Sequence, residues 1–309
     1  MSDSIRSGIV VGVDGSPASE AAASWAAREA VLRHIPLTLV HTINLIAGSW
    51  PESPHVEEVA MWQEDAGRRI LDDALKIAVD SMQGGRPIPV DSELVCARTA
   101  PTLIDLSRSA EFVVVGDRGR GALARNVLGS VSTNLVRHAH CPIAVVKDAA
   151  APTSDSASPV LLGVDGSPAS ELATAIAFDE ASRRNAPLIA IHAWSDLIMQ
   201  EMPALDWSSF KAEEQHCLAE RLAGWQERYP DVNVRREVVC DRPAHAIVER
   251  SKSAQLAVIG SHGRGAVSRA LLGSVSNAVL QAVQIPVIIA HSANDEIHTR
   301  ATPRMGQRC

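Results

Sequence analysis

The chain has 309 residues, more than one compact domain usually holds and enough for two. A hydrophobic fraction of 46% supplies a core, and aromatics at 3% mean that Ala, Val, Leu and Ile must build it. The formal net charge of −7 argues against a general nucleic-acid binder, and no run reaches the roughly 18 apolar residues of a membrane span.

In chain order, the first half predicts a strand at Ile9–Val13, a helix at Ala18–Arg33 and a strand at Leu37–His41. A long amphipathic helix follows at Val59–Met82, with Val59, Trp62, Ala66, Ile70, Ala74 and Ile77 spaced by threes and fours as its core face. Then come a strand at Val90–Val95, a helix at Thr102–Ser109, a strand at Phe112–Val115, a helix at Val131–Ala139 and a strand at Ile143–Val146. Strands alternating with helices, the strands being continuous apolar runs, predict a parallel sheet with helices on both faces. Pro142 and Pro286 precede the last strands, where a missing N–H is tolerated.

The second half repeats the first. "GIVVGVDGSPASE" (Gly8–Glu20) matches "PVLLGVDGSPASE" (Pro159–Glu171), and "PLTLVHTIN" matches "PLIAIHAWS". Asp165 follows Asp14 by 151 residues, but Gly260 follows Gly116 by 144. About seven extra residues therefore lie between His41 and Cys96, and the stretch "LIAGSWPESP" is the expected place. The organisation read from this is a first domain at 1–148, an Ala/Ser/Pro-rich linker at 149–158, a second domain at 159–291 and a polar tail at 292–309, expected to be disordered. The fold class is α/β: two tandem doubly wound domains, each a five-stranded parallel sheet.

The N-terminus lacks the layout of a signal peptide, and five cysteines (Cys96, Cys141, Cys217, Cys240, Cys309) show no CxxC spacing. A cytoplasmic, reducing compartment is expected. Cys96 and Cys240 sit in strand runs and read as small core residues; Cys309 reads as an incidental tail thiol.

The chemistry sits in a repeated loop. "GDRGRGALARNVLGS" (Gly116–Ser130) follows Phe112–Val115, and "GSHGRGAVSRALLGS" (Gly260–Ser274) follows Leu256–Ile259. In open parallel sheets, ligands bind beyond the carboxyl ends of the strands. Gly119, Gly121 and Gly129, with Gly263, Gly265 and Gly273, let the backbone turn and approach a ligand. Their N–H groups and those of the next helix form an anion cradle. Ser130, Val131 and Ser132, and Ser274, Val275 and Ser276, stand at that helix start, to cap it or donate to a phosphate, while Arg118, Arg120 and Arg264 add charge.

The first strand of each half ends in "GVDGS". Gly12, Val13 and Asp14, and Gly163, Val164 and Asp165, should face the same crevice. Each aspartate suits an adenine or ribose edge, or Mg²⁺ held through water. The second strands end at His41 and His192, which makes Val40 and Ile191 binding positions and puts Asp196 within reach of a ribose. Blander readings compete: "DGS" is a common turn and cap, strand-end histidines are often internally satisfied, and surface arginines are solvated. The double occurrence of G-x2-G-x9-G-S after a strand and before a helix favours nucleotide binding. Neither a Walker loop nor the usual dinucleotide fingerprint is present.

With these motifs the chain resembles the universal stress protein family in its ATP-binding, tandem-domain form, from about Gly8 to His291. The resemblance implies an adenine nucleotide alpha hydrolase-like fold and ATP held by the glycine amides and serine hydroxyls. It also implies dimers formed through the last strand, which here could be a homodimer or an intramolecular pseudo-dimer. One departure is Asp117, where Ser261 is the small residue usual for the family; a carboxylate there would repel a triphosphate unless Mg²⁺ intervenes. His262 replaces the arginine found at Arg118. The expected function is an ATP-binding stress-response regulator whose nucleotide changes its choice of a protein partner, with no nucleic acid involved. The alternatives are a slow ATPase or phosphoryl or nucleotidyl transferase, and a chaperone-like protein with structural ATP.

Overall fold

Apolar runs of four or five residues leave the central strands little choice but a buried position, and the sheet forms around them. The computed structural model of the protein describes residues 8–44, 56–82, 84–121, 128–148, 158–194, 207–263 and 272–291. Its contacts divide the chain into two compact units, residues 1–152 and 153–309. The stretch 45–54, most of the 149–158 linker, the tail, and Asp196, Arg264 and Gly265 lie outside the described residues.

In the first unit the order is β1 (Ile9–Gly12), α1 (Pro17–Arg33), β2 (Leu37–Ile43), α2 (Val56–Ser81), β3 (Val90–Cys96), α3 (Thr99–Leu106), β4 (Phe112–Gly116), α4 (Ser130–His138) and β5 (Ile143–Val146). The second runs β6 (Val160–Gly163), α5 (Pro168–Arg183), β7 (Leu188–Trp194), α6 (Trp207–Arg228), β8 (Val234–Cys240), α7 (Pro243–Ser251), β9 (Leu256–Gly260), α8 (Ser274–Ala282) and β10 (Val287–Ala290). Within the units the strands lie in the orders β3-β2-β1-β4-β5 and β8-β7-β6-β9-β10. The pairs are parallel, as in Ile9 opposite both Leu37 and Phe112. This is the doubly wound α/β fold. The chain changes direction across the sheet at β1 and β4, and at β6 and β9, so a crevice opens between their carboxyl ends.

Helix α1 starts where the sequence says it should. Ser16 caps it, accepting from the Ser19 N–H at 3.3 Å, and Pro17 occupies the first turn. Ala22, Ala23, Ala26, Ala27 and Ala30 are fully buried, so the helix lies close on the sheet. It ends at His34 in the left-handed region, φ 56°. Helix α5 repeats the design with Ser167 and Pro168. Each carries a buried ion pair one turn from its end: Glu29 with Arg33 at 2.6 Å, and Glu180 with Arg184. The Arg33 guanidinium also lies 4.5 Å from the centre of the Phe112 ring.

Three expectations need correction. First, the buried stripe of α2 is Gly67, Leu71, Ala74 and Ala78, whereas Val59 and Trp62 are 51% and 66% exposed. A side chain on Gly67 would stand 2.7 Å from Leu94 and 3.0 Å from His41, so the bare glycine lets α2 press onto β2 and β3 there. Second, the extra residues of the first unit are not at 45–54. Thirteen positions separate Ile43 from Val56 and Trp194 from Trp207 alike. The excess lies downstream: α2 has 26 residues against 22 in α6, and the connection to the next strand is 82–89 against 229–233. Third, Cys96 is exposed and Cys240 half-buried, because both end edge strands. Cys141 is the buried cysteine, and burial pushes its thiol up to about 12 despite a hydrogen bond with the Val113 backbone.

The first unit's core is mainly aliphatic, as the composition predicts, with Trp25 and Phe112 as its buried aromatics. The second adds an aromatic cluster. Phe178 of α5 lies 6.1 Å from Trp225 and 5.8 Å from Tyr229 of α6, centre to centre. The positions 151 earlier hold Ala27, Ala74 and Ala78.

Candidate functional site

The crevice in the first unit holds a cavity of about 690 Å³. Gly12, Val13 and Asp14 supply its floor from the end of β1, and His41 enters from β2. The loop after β4 contributes Gly116, Arg118, Gly119, Arg120 and Gly121, and the start of α4 contributes Gly129, Ser130, Val131 and Ser132. The second unit has a cavity of about 350 Å³ lined by Gly163, Val164, Asp165 and Ile191, by Gly260, His262 and Gly263, and by Gly273, Ser274, Val275 and Ser276. Val40, Asp117 and Ser261 are not among the lining residues.

The loop is held by its own backbone. The Gly129 N–H donates to Asp117 O at 2.8 Å, and the Gly273 N–H to Ser261 O at 2.9 Å. Ser132 Oγ donates to Gly116 O and Ser276 Oγ to Gly260 O, both at 2.7 Å. Those two hydroxyls brace the loop; neither caps a helix. The N-cap positions are Gly129 and Gly273, with no side-chain cap bond, so the first amides of α4 and α8 face the cavity without one. Gly116 and Gly260 allow the strand ends to pack on α1 and α5: a Cβ at Gly116 would stand 2.8 Å from Ala18, and one at Gly260 3.0 Å from Ala169.

Asp14 ties the two sides of the crevice together. Its Oδ1 accepts from the Ser16 N–H at 3.0 Å and the Ser16 hydroxyl at 2.6 Å, and its Oδ2 accepts from the Arg120 N–H at 2.9 Å. Burial pushes its carboxyl up. The bonds from Ser16, Arg120 and Ser19 outweigh that and leave it below the usual carboxylate value. A Cβ on Gly119 would fall 2.5 Å from Asp14 Oδ2, and one on Gly263 2.6 Å from Asp165 Oδ2. Glycine is thus required where the loop crosses the carboxylate. Asp165 Oδ1 accepts from the Ser167 N–H at 2.9 Å. Among the described residues no three His, Cys, Asp or Glu side chains converge as metal ligands.

Asp117 is turned beneath the loop. It is buried, 3.1 Å from Arg118 Nε and 3.5 Å from Lys147 Nζ, and Arg118 continues to Asp148 at 3.4 Å. The charge expected to face a triphosphate is balanced by protein cations. Burial in turn pulls the Lys147 ammonium down, and Asp117 opposes the shift. In the second unit the Ser261 hydroxyl lies 2.9 Å from His262 Nδ1.

The histidines sit inside their strands, two residues before the ends. His41 Nδ1 is 2.7 Å from Val13 O and His192 Nδ1 2.7 Å from Val164 O, so each Nδ1 carries the hydrogen and donates it. The Arg120 guanidinium lies over Gly15; in the second unit Arg221 of α6 takes the equivalent place over Gly166. Both glycines are left-handed, φ +74°. Sequence reasoning missed the contribution of the third helix: Thr99 and Leu103 in the first unit, Pro243 and Ile247 in the second. Thr99 and Leu103 stand at the same offset of 144 from Pro243 and Ile247 as Gly116 does from Gly260, which ties the third helix to the repeated loop.

The universal stress protein family profile matches residues 7–147 and again 157–291. A universal stress protein of Mycobacterium tuberculosis, Rv2005c, is 57% identical over 288 residues, covering 93% of this chain and 97% of its own. Another from the same organism, Rv2623, is 51% identical over 288 residues with the same coverage. A solved universal stress protein structure from Archaeoglobus fulgidus superposes with a TM-score of 0.69 over 93% of this chain and 98% of its own; at 17% identity it bears on the fold alone.

Proposed function

The chain belongs to the universal stress protein family, and from that premise we propose that it is an ATP-binding regulator with one adenine-nucleotide site per unit. The observation that carries the reading is the pairing, in both units, of a cavity at the strand switch point with a glycine loop and a helix start that has no side-chain cap. The loop amides, the Ser130 and Ser274 hydroxyls and the first amides of α4 and α8 would hold the phosphates, with Arg120 adding charge in the first unit. Val13 and Leu103, and Val164 and Ile247, offer apolar surface for the base.

Asp14 has both oxygens engaged by protein donors, so in this reading it positions the loop, and Mg²⁺ enters only as the nucleotide's own counterion. Acting in the cytoplasm, alone or as a dimer, the protein would change its protein partners with nucleotide occupancy. The test is to purify it without added nucleotide, denature it, and identify and count what is released. About two adenine nucleotides per chain are expected. Nothing released, together with no heat of binding on titration with ATP, overturns the reading.

A further inference from the structure

Where they meet the loop the two cavities share its glycines and serines, with Arg118 in one against His262 in the other, and they differ again at the opposite side. The loop leaves β4, on one flank of β1; β2 lies on the other flank, and the first turn of α3 packs above it. In the first unit Thr99, the first residue of α3, lines the cavity there, and its Oγ1 lies 2.6 Å from Thr42 Oγ1 of β2. The second unit has Pro243 at the position of Thr99 and Ala193 at that of Thr42, and both line the cavity beside Ile247 and Ile259. Proline is the usual opening residue of a helix, because its φ is preset and its missing N–H costs nothing there. Threonine in that place forgoes this advantage and brings a hydroxyl.

In a bonded hydroxyl pair, one hydrogen is used within the pair. The other hydrogen and the free lone pairs remain for a ligand. Neither Pro243 nor Ala193 has a polar side-chain atom, and Pro243 also lacks the backbone donor that Thr99 keeps. A ligand edge carrying a hydrogen-bonding group is therefore met by a partner in the first unit and by hydrocarbon in the second. We propose that Thr99, held by Thr42, is the specificity-determining residue of the first site, reading the polar edge of a purine base, whereas the second site selects its base by shape alone. This inference rests on the nucleotide reading above. The two sites of one chain then differ in ligand range: the first distinguishes purine nucleotides by the substituent at the six position, and the second does not.

The test separates the sites by Gly263→Val, which leaves only the first, and Gly119→Val, which leaves only the second. Each is titrated calorimetrically with ATP and with purine riboside triphosphate, which lacks the 6-amino group. The first site should prefer ATP about tenfold, the second less than about twofold. Thr99→Val in the Gly263→Val background should bring the first site down to the ratio of the second, and Thr99→Ser should restore it. Thr99→Ala, checked for an unchanged melting temperature, gives the same answer without the branched methyl. An equal preference at both sites, or a preference that survives Thr99→Val and Thr99→Ala, overturns this inference alone. No binding of either nucleotide to the unsubstituted protein overturns it together with the nucleotide reading.

Discussion

The two units place the same loop over the same crevice while filling the layer behind it differently. At three equivalent positions of the first and second helices, the first unit has the buried Ala27, Ala74 and Ala78, and the second has the buried Phe178 with the half-buried Trp225 and Tyr229. A layer of alanines lets helices approach closely; three aromatic rings hold them apart. The loops show none of this difference. Ser132 and Ser276 reach their carbonyls at the same 2.7 Å, and Gly119 and Gly263 cross their carboxylates at 2.5 and 2.6 Å to a built Cβ. The comparison teaches that the loop geometry is set by strand ends and glycines, and that helix packing can vary without reaching it.

The largest effect should come from removing the spacer. Phe178→Ala leaves a cavity against Trp225 and Tyr229 and should cost about 3–5 kcal/mol, read as an early unfolding transition of the second unit in a urea titration. The same measurement on Ala27→Phe, which overfills the tight layer of the first unit, should show a loss of about 1–3 kcal/mol. If Phe178→Ala unfolds with the unsubstituted protein, the aromatic cluster is not what supports the second unit.

A smaller effect concerns the carboxylate latch. The Asp14 carboxyl lies below its unfolded value, so its contribution to stability is complete above the usual carboxylate range of about 4 and is lost as pH falls through the lower folded value. Asp14→Asn should flatten that acid limb in melting curves taken from pH 5 downward. An unchanged slope would mean that the bonds to Ser16 and Arg120 contribute nothing to folding. The smallest effect is chemical. At pH 8, iodoacetamide should label exposed Cys96 readily and leave Cys141 unmodified in the folded protein, because burial pushes that thiol up to about 12. Mass spectrometry of the peptides decides it.

What the sequence made legible was the local part of this comparison. "FVVVG" and "LAVIG" have no amphipathic alternative and became β4 and β9, and the glycine spacing located both loops. The core face of α2 was not legible, because Val59, Trp62 and Ala66 keep the same helical spacing as Gly67, Leu71 and Ala74, and only packing on β2 and β3 selects between them. The orientation of Asp117 was hidden for a different reason. Its partner Lys147 is 30 residues away and arrives through the parallel register that pairs Gly116 with Val146. Thr99 carries no signal in the sequence, because Thr42 comes within 2.6 Å of it only when α3 settles over β2.

In the proposed reading the two loops are independent and each holds its own nucleotide. The most direct measurement is the stoichiometry of ATP binding to four proteins: unsubstituted, Gly119→Val, Gly263→Val and the double variant, each with its circular dichroism unchanged. The account predicts two, one, one and none per chain. Two nucleotides bound by the double variant would contradict it.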